Sequence, residues 1–243
     1  MRCKFRILLM KSILFICLLI FPLPLSAQGS DPEKKPKRTC RIIYTNKPVG
    51  APGDAYLFDG VKSQKVLLPT MNLSEVIELP LGDISLGLVD REIYDPELFP
   101  KGAPSVKIPE SYKDIYLFLS ADSENKELPI KIKVINVEKD KLRIGHTLWV
   151  NMSDHNIGAT LGSQKVLLPA QKMTISAPPM DKSGFYAAQF KYQENGQGDF
   201  RPVMNKSWWH DDTSRHIGFI FDTGAKMPKI FTIRDRRRVE RSP

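Results

Sequence analysis

The most regular patterns along the chain have a period of two. Residues 131–137, Lys-Ile-Lys-Val-Ile-Asn-Val, alternate polar and apolar side chains, and residues 229–234 do so less strictly. Such alternation marks a strand with one buried face. Denser β-branched and aromatic runs, among them Ile115-Tyr116-Leu117-Phe118-Leu119 and Ile217-Gly218-Phe219-Ile220-Phe221, recur with turn residues between them. Their spacing of roughly ten residues is that of sandwiches and barrels. Glu194-Asn195-Gly196-Gln197, between apolar runs at 185–192 and 200–204, reads as a hairpin, because Asn-Gly tolerates the positive φ of a type I′ turn. Beyond the first 27 residues no clean 3.6-residue period is sustained, so helices are expected to be short or absent.

A duplication organises these strands. Residues 63–69 and 163–169 both read Ser-Gln-Lys-Val-Leu-Leu-Pro. Upstream, Ile43-Tyr44-Thr45-Asn46 aligns with Leu148-Trp149-Val150-Asn151, and downstream Ile115 aligns with Ile217. A repeat at fixed spacing means one structural unit used twice. The units are placed at 40–138 and 142–236, joined by the charged turn Glu138-Lys139-Asp140-Lys141. The expected fold is all-β: two tandem Ig-like β-sandwich repeats of about seven strands each. One sheet system built from two interlocked repeats is the alternative.

The N-terminus follows a different pattern. Arg2, Lys4, Arg6 and Lys11 precede an apolar run at 12–25, which ends at Ser26-Ala27, and no acid occurs before Asp31. This is the layout of a cleaved signal peptide at 1–27. An uncleaved anchor is the competing reading, but the run is shorter than a span and holds Pro22 and Pro24. Export follows, to a periplasmic, cell-envelope or extracellular location, with membrane contact only transient, through the signal peptide. Residues 28–39 lack large apolar side chains and read as a flexible basic, proline-containing tether. Residues 237–243 form a basic tail continuing from Arg234.

Composition then adds exclusions. With 42% hydrophobic and 26% charged residues, the chain is neither collagen, coiled coil nor wholly disordered. Loss of the leader reduces 36 basic residues to 32 against 27 acids, so the net charge falls from +9 to +5. It also leaves Cys40 as the single cysteine, without an intrachain disulfide partner. On an exported protein the basic tail suits an anionic envelope polymer better than nucleic acid.

Candidate chemistry concentrates where the repeats differ most. The first unit has Ser-Val-Lys-Ile-Pro-Glu-Ser-Tyr-Lys-Asp at 105–114, and the second a longer stretch at 202–215 containing Trp208, Trp209, His210, Asp211 and Asp212. Read as a loop, it offers an aromatic platform for sugar rings or a protein partner, with Trp149 as a further candidate. His210, Asp211, Asp212 and His216 are instead suitable ligand types for a cation and would serve a metal-dependent hydrolase. The plain structural reading has one tryptophan plugging the sandwich and a solvated His-Asp-Asp turn. His146 and the 154–156 segment around His155 read as sheet and turn residues. The chain contains no Gly-x-Ser-x-Gly, His-Glu-x-x-His, Walker loop or Cys-x-x-Cys.

The leader, the Ile-Tyr-Thr-Asn opening, the repeated heptapeptide and the closing Arg-His-Ile-Gly-Phe-Ile-Phe-Asp resemble uncharacterised secreted proteins of the Planctomycetes–Verrucomicrobia type. That resemblance implies an exported all-β protein and brings no activity with it. Together these readings predict a non-enzymatic binding or envelope-structural protein without cofactors. Its expected partner is another envelope protein or a polysaccharide. A carbohydrate-binding module and a metal-dependent hydrolase are the alternatives.

Overall fold

The computed structural model describes residues 37–138, 140–194, 197–224 and 227–236. The predicted leader, most of the tether, the Asn195-Gly196 turn and the 237–243 tail lie outside the described residues. The chain is all-β. Its first half contributes β1 (Arg38–Tyr44), β2 (Asp54–Phe58), β3 (Ser63–Leu67), β4 (Ile77–Leu79), β5 (Ile84–Val89), β6 (Ser105–Ile108), β7 (Asp114–Ala121) and β8 (Ile130–Asn136). The second contributes β9 (Thr147–Asn151), β10 (Asn156–Leu161), β11 (Gln164–Leu168), β12 (Met173–Ser176), β13 (Gly184–Gln193), β14 (Arg201–His210), β15 (Arg215–Phe221) and β16 (Lys229–Asp235).

These strands make four sheets, ordered β4-β1-β7-β8, β3-β2-β5-β6, β12-β9-β15-β16 and β11-β10-β13-β14. The second pair repeats the first strand for strand, including the parallel pairing of β1 with β7 and of β9 with β15. Among the described residues each half therefore has eight strands rather than seven and keeps them all in its own two sheets.

Side-chain alternation decides what packs on what. Cys40, Ile42 and Tyr44 of β1, with Ile115, Leu117 and Leu119 of β7, face the sheet carrying Ala55, Leu57, Leu86 and Leu88. The intervening Ile43, Tyr116 and Phe118 face the other way and meet Leu148, Val150, Ile217 and Phe219 of the second half. Trp149 and Ile220 turn from that seam toward Ile157, Leu161, Ala188 and Phe190. The β1 and β9 sheets are thus inner layers packed face to face, flanked by the β2 and β10 sheets as outer layers.

Register corrects the sequence alignment of the repeats. Arg41 pairs with Tyr116 and Leu148 with Ile217, while Thr45 and Met152 donate to the carbonyls of Leu119 and Ile220. Leu148 therefore corresponds to Arg41, not Ile43, and Ile217 to Tyr116, not Ile115. The β7/β15 alignment thus moves by one residue, which exchanges the faces of its side chains, and the β1/β9 alignment by two, which keeps them. The tether also ends earlier than expected. Arg38 is fully buried in β1, and its guanidinium donates to the carbonyls of Tyr112, Pro80 and Pro109.

Trp149 is buried in the second sandwich beside Gly218, its ladder partner, and its indole N–H donates to Ser176 Oγ at 3.0 Å. A Cβ on Gly218 would lie 2.2 Å from the indole ring. Gly218→Ala is accordingly expected to destabilise the protein by about 1–3 kcal/mol through overpacking, measured by urea unfolding followed by tryptophan fluorescence.

Candidate binding site at the open edge of the second sandwich

Residues expected to form a loop instead form the second half of β14, an edge strand pairing with β13. Neighbouring strand residues point to opposite faces, so the two tryptophans do not form one platform. Trp208 turns inward, half-buried, stacked on Trp149 with ring centroids 6.3 Å apart and tilted against Phe190 at 5.1 Å. Trp209 turns outward, 48% exposed, and meets Phe185 of β13 edge-to-face at 4.9 Å. Phe185 is itself 69% exposed. Trp149, the third tryptophan proposed for a platform, is removed from any ligand by its burial in the core.

The repeat register shows how unusual this aromatic pair is. Phe185 pairs with Trp209 where the first repeat pairs Ser85 with Lys107, and Trp208 and His210 stand where it has Val106 and Ile108. In the first repeat Phe58, Val89, Ile93 and Ala103 form a small cluster over the outer sheet, with Phe99 stacked on Phe58. The second repeat has a shorter connection, residues 194–200 between β13 and β14, in place of the long β5–β6 connection. Its outer face therefore stays open around Phe185, Ser207 and Asn205, which line a shallow depression.

Beside this face runs a groove of about 860 Å³, bordered by β14, by β16 and by Met71, Asn72 and Leu73 of the first repeat. Trp208 and Trp209 line it together with the cations Arg41, Lys206, Arg234 and Arg236, and none of the described residues lining it is a carboxylate. Lys206 and Arg236 are exposed. Arg234 is partly engaged, 3.5 Å from Asp211, and Arg41 is committed to the seam through Asp235. Of these cations, sequence reasoning noticed Arg234 and Arg236 only as part of a basic tail, and it missed Phe185 and Lys206. Only the strand-by-strand register of the two repeats exposes the Phe185–Trp209 exchange.

The His-Asp-Asp segment has another role. The turn after β14 folds back and brings the His210 and His216 rings to 5.5 Å, stacked. Asp211 accepts from the Thr213 N–H and hydroxyl at 3.0 and 2.7 Å and from Ser214 Oγ at 3.0 Å, and its carbonyl lies 3.1 Å from His216 Nε2. Asp212 accepts from Ser183 Oγ at 2.6 Å. Asp211 thus closes its own turn and Asp212 ties that turn to the segment before β13, and among the described residues no group of three or more His, Cys, Asp or Glu side chains converges as a cation cage. His146 lies just ahead of β9, and His155 packs edge-on against Tyr192. No protein-family model matches the chain, and no curated protein does either.

Burial lowers the pKa of His210, with His216 adding to the effect, and burial likewise lowers that of His216. Burial alone would raise the Asp211 carboxyl, but the Thr213 and Ser214 hydrogen bonds and Arg234 outweigh it and hold it at about 2. The unfolded chain therefore binds protons at the two histidines that the folded chain resists, and stability falls as pH drops below the ordinary imidazole value of about 6.5. The Asp211 contribution is lost only in stronger acid, between the ordinary carboxyl range and about 2. The thermal midpoint should fall between about pH 7.5 and pH 5, and His210→Ile, which installs the first repeat's residue, should flatten that slope. An unchanged slope in the variant would exclude the histidine pair as its source.

Proposed function

We propose that the protein is an exported, non-enzymatic β-sandwich repeat protein that binds an acidic polysaccharide. The observation that carries this reading is the exposed Phe185–Trp209 pair, standing where the first repeat has serine and lysine, at the lip of a groove lined by four cationic side chains and, among the described residues, by no carboxylate. Of the four, Lys206 and Arg236 are exposed and make no carboxylate contact in the groove. Large exposed aromatics cost solubility, and their exchange for a polar pair at an equivalent position marks a contact surface. Aromatic faces suit the apolar C–H faces of sugar rings, and guanidinium and ammonium groups pair with carboxylates or sulfates. A groove of this volume is within the usual range for ligand sites. Export rests on the basic and apolar pattern of the first 27 residues.

Isothermal titration with oligogalacturonate and with a neutral glucan tests the reading. Oligogalacturonate is expected to bind and the glucan only weakly. Trp209→Ala and the pair Lys206→Glu/Arg236→Glu should each weaken binding at least about tenfold, a loss of about 1.4 kcal/mol. Binding that survives both sets of substitutions would contradict the proposal, as would equal affinity for the neutral glucan.

A further inference from the structure

A second cavity, of about 250 Å³, lies on the seam between the two inner sheets, with Met71 and Phe231 bordering both it and the cationic groove. Thr45 and Met152, which occupy equivalent positions in the two repeats, both line it. The seam core closes around the Phe118–Phe219 contact, with ring centroids 5.6 Å apart. Beyond it the ends of the inner strands leave a recess whose apolar sides are the partly exposed Met152, Phe221 and Phe231, with Ile43 and Phe219 buried beneath. Such walls give water few hydrogen-bond partners.

The rim has the opposite character. Lys47 and Lys229 line the cavity, and the Lys229 ammonium lies 5.9 Å from the centre of the Phe221 ring. Neither lysine pairs with a carboxylate among the described residues. Asp222, next along the chain, instead faces His155 at 3.6 Å and accepts from the Asp154 N–H at 3.1 Å. A largely apolar recess below two ammonium groups that have no carboxylate partner among the described residues is complementary to a molecule with an apolar chain and an anionic head.

We infer that this seam cavity binds a single-chain anionic amphiphile, the chain between Met152 and Phe231 and the head between Lys47 and Lys229. The cavity shares the Met71 and Phe231 border with the cationic groove but rests on none of the residues that carry the polysaccharide reading, so it stands or falls independently of it. Isothermal titration of the detergent-free protein with decanoate, below its micellar range, tests the inference against acetate and decyltrimethylammonium. Decanoate should bind at one per chain, acetate should not, and the cationic amphiphile should bind at least tenfold more weakly. Met152→Trp, which fills the cavity, should abolish decanoate binding. Lys47→Glu/Lys229→Glu, with an unchanged thermal midpoint as the check on folding, should weaken it at least tenfold, whereas Trp209→Ala should leave it unchanged. Equal binding of decanoate and the cationic amphiphile would overturn the inference, and so would wild-type decanoate affinity in the lysine variant.

Discussion

A carboxylate with no solvent exposure, Asp235, holds the architecture to one arrangement. It comes from the last strand of the second repeat and is met by the Arg41 guanidinium and the Tyr116 hydroxyl of the first. Nearby, Arg215 of the second repeat pairs with Asp114 of the first at 2.7 Å. Two apolar sheet faces alone could slide or rotate over one another with little loss of buried area. Ion pairs that must stay matched when removed from water penalise every other registration, although their net contribution to stability is small. The seam is also self-complementary. Asp114 and Arg215 are equivalent positions, as are Phe118 and Phe219, and each pair is in direct contact. The repeats thus pack as the subunits of a two-fold dimer do, with the two partners joined in one chain.

That arrangement explains where the distinctive surfaces lie. Each sandwich has the same strands in the same order, and the first repeat reads as the unadorned version. The second exchanges Ser85 and Lys107 for Phe185 and Trp209, has a shorter connection where the first has the long β5–β6 one, and introduces the buried His210. The groove needs both repeats, because Met71, Asn72 and Leu73 form one wall and β14 and β16 the other. Neither repeat alone contains the whole groove.

The strands were legible in the sequence because half-buried strands alternate, and the duplication because seven identical residues sit on the edge strands β3 and β11. The inner-sheet alignment was misjudged by one or two residues, since fully buried strands such as β9 and β15 show no alternation to fix their phase. The end of β14 read as a loop for a related reason. An edge strand solvated along much of its length carries polar residues such as Asn205, Lys206 and Ser207, which resemble loop composition. The groove left no trace in residue spacing, because face-to-face packing of the inner sheets brings together segments more than a hundred residues apart.

The central claim is that the seam makes the two repeats one cooperative unit. Trp149, Trp208 and Trp209 all lie in the second repeat, whereas Cys40 is buried in the core of the first, its thiol pushed up to about 12 by burial. In a chain with Cys3 and Cys17 replaced by serine, urea unfolding can therefore be followed by tryptophan fluorescence for one half and by thiol labelling for the other. Coincident midpoints are expected, both falling together in Asp235→Ala, because removing one partner of a buried ion pair costs about 3–5 kcal/mol. Separate midpoints, or an Asp235→Ala chain in which only the tryptophan transition moves, would contradict the account.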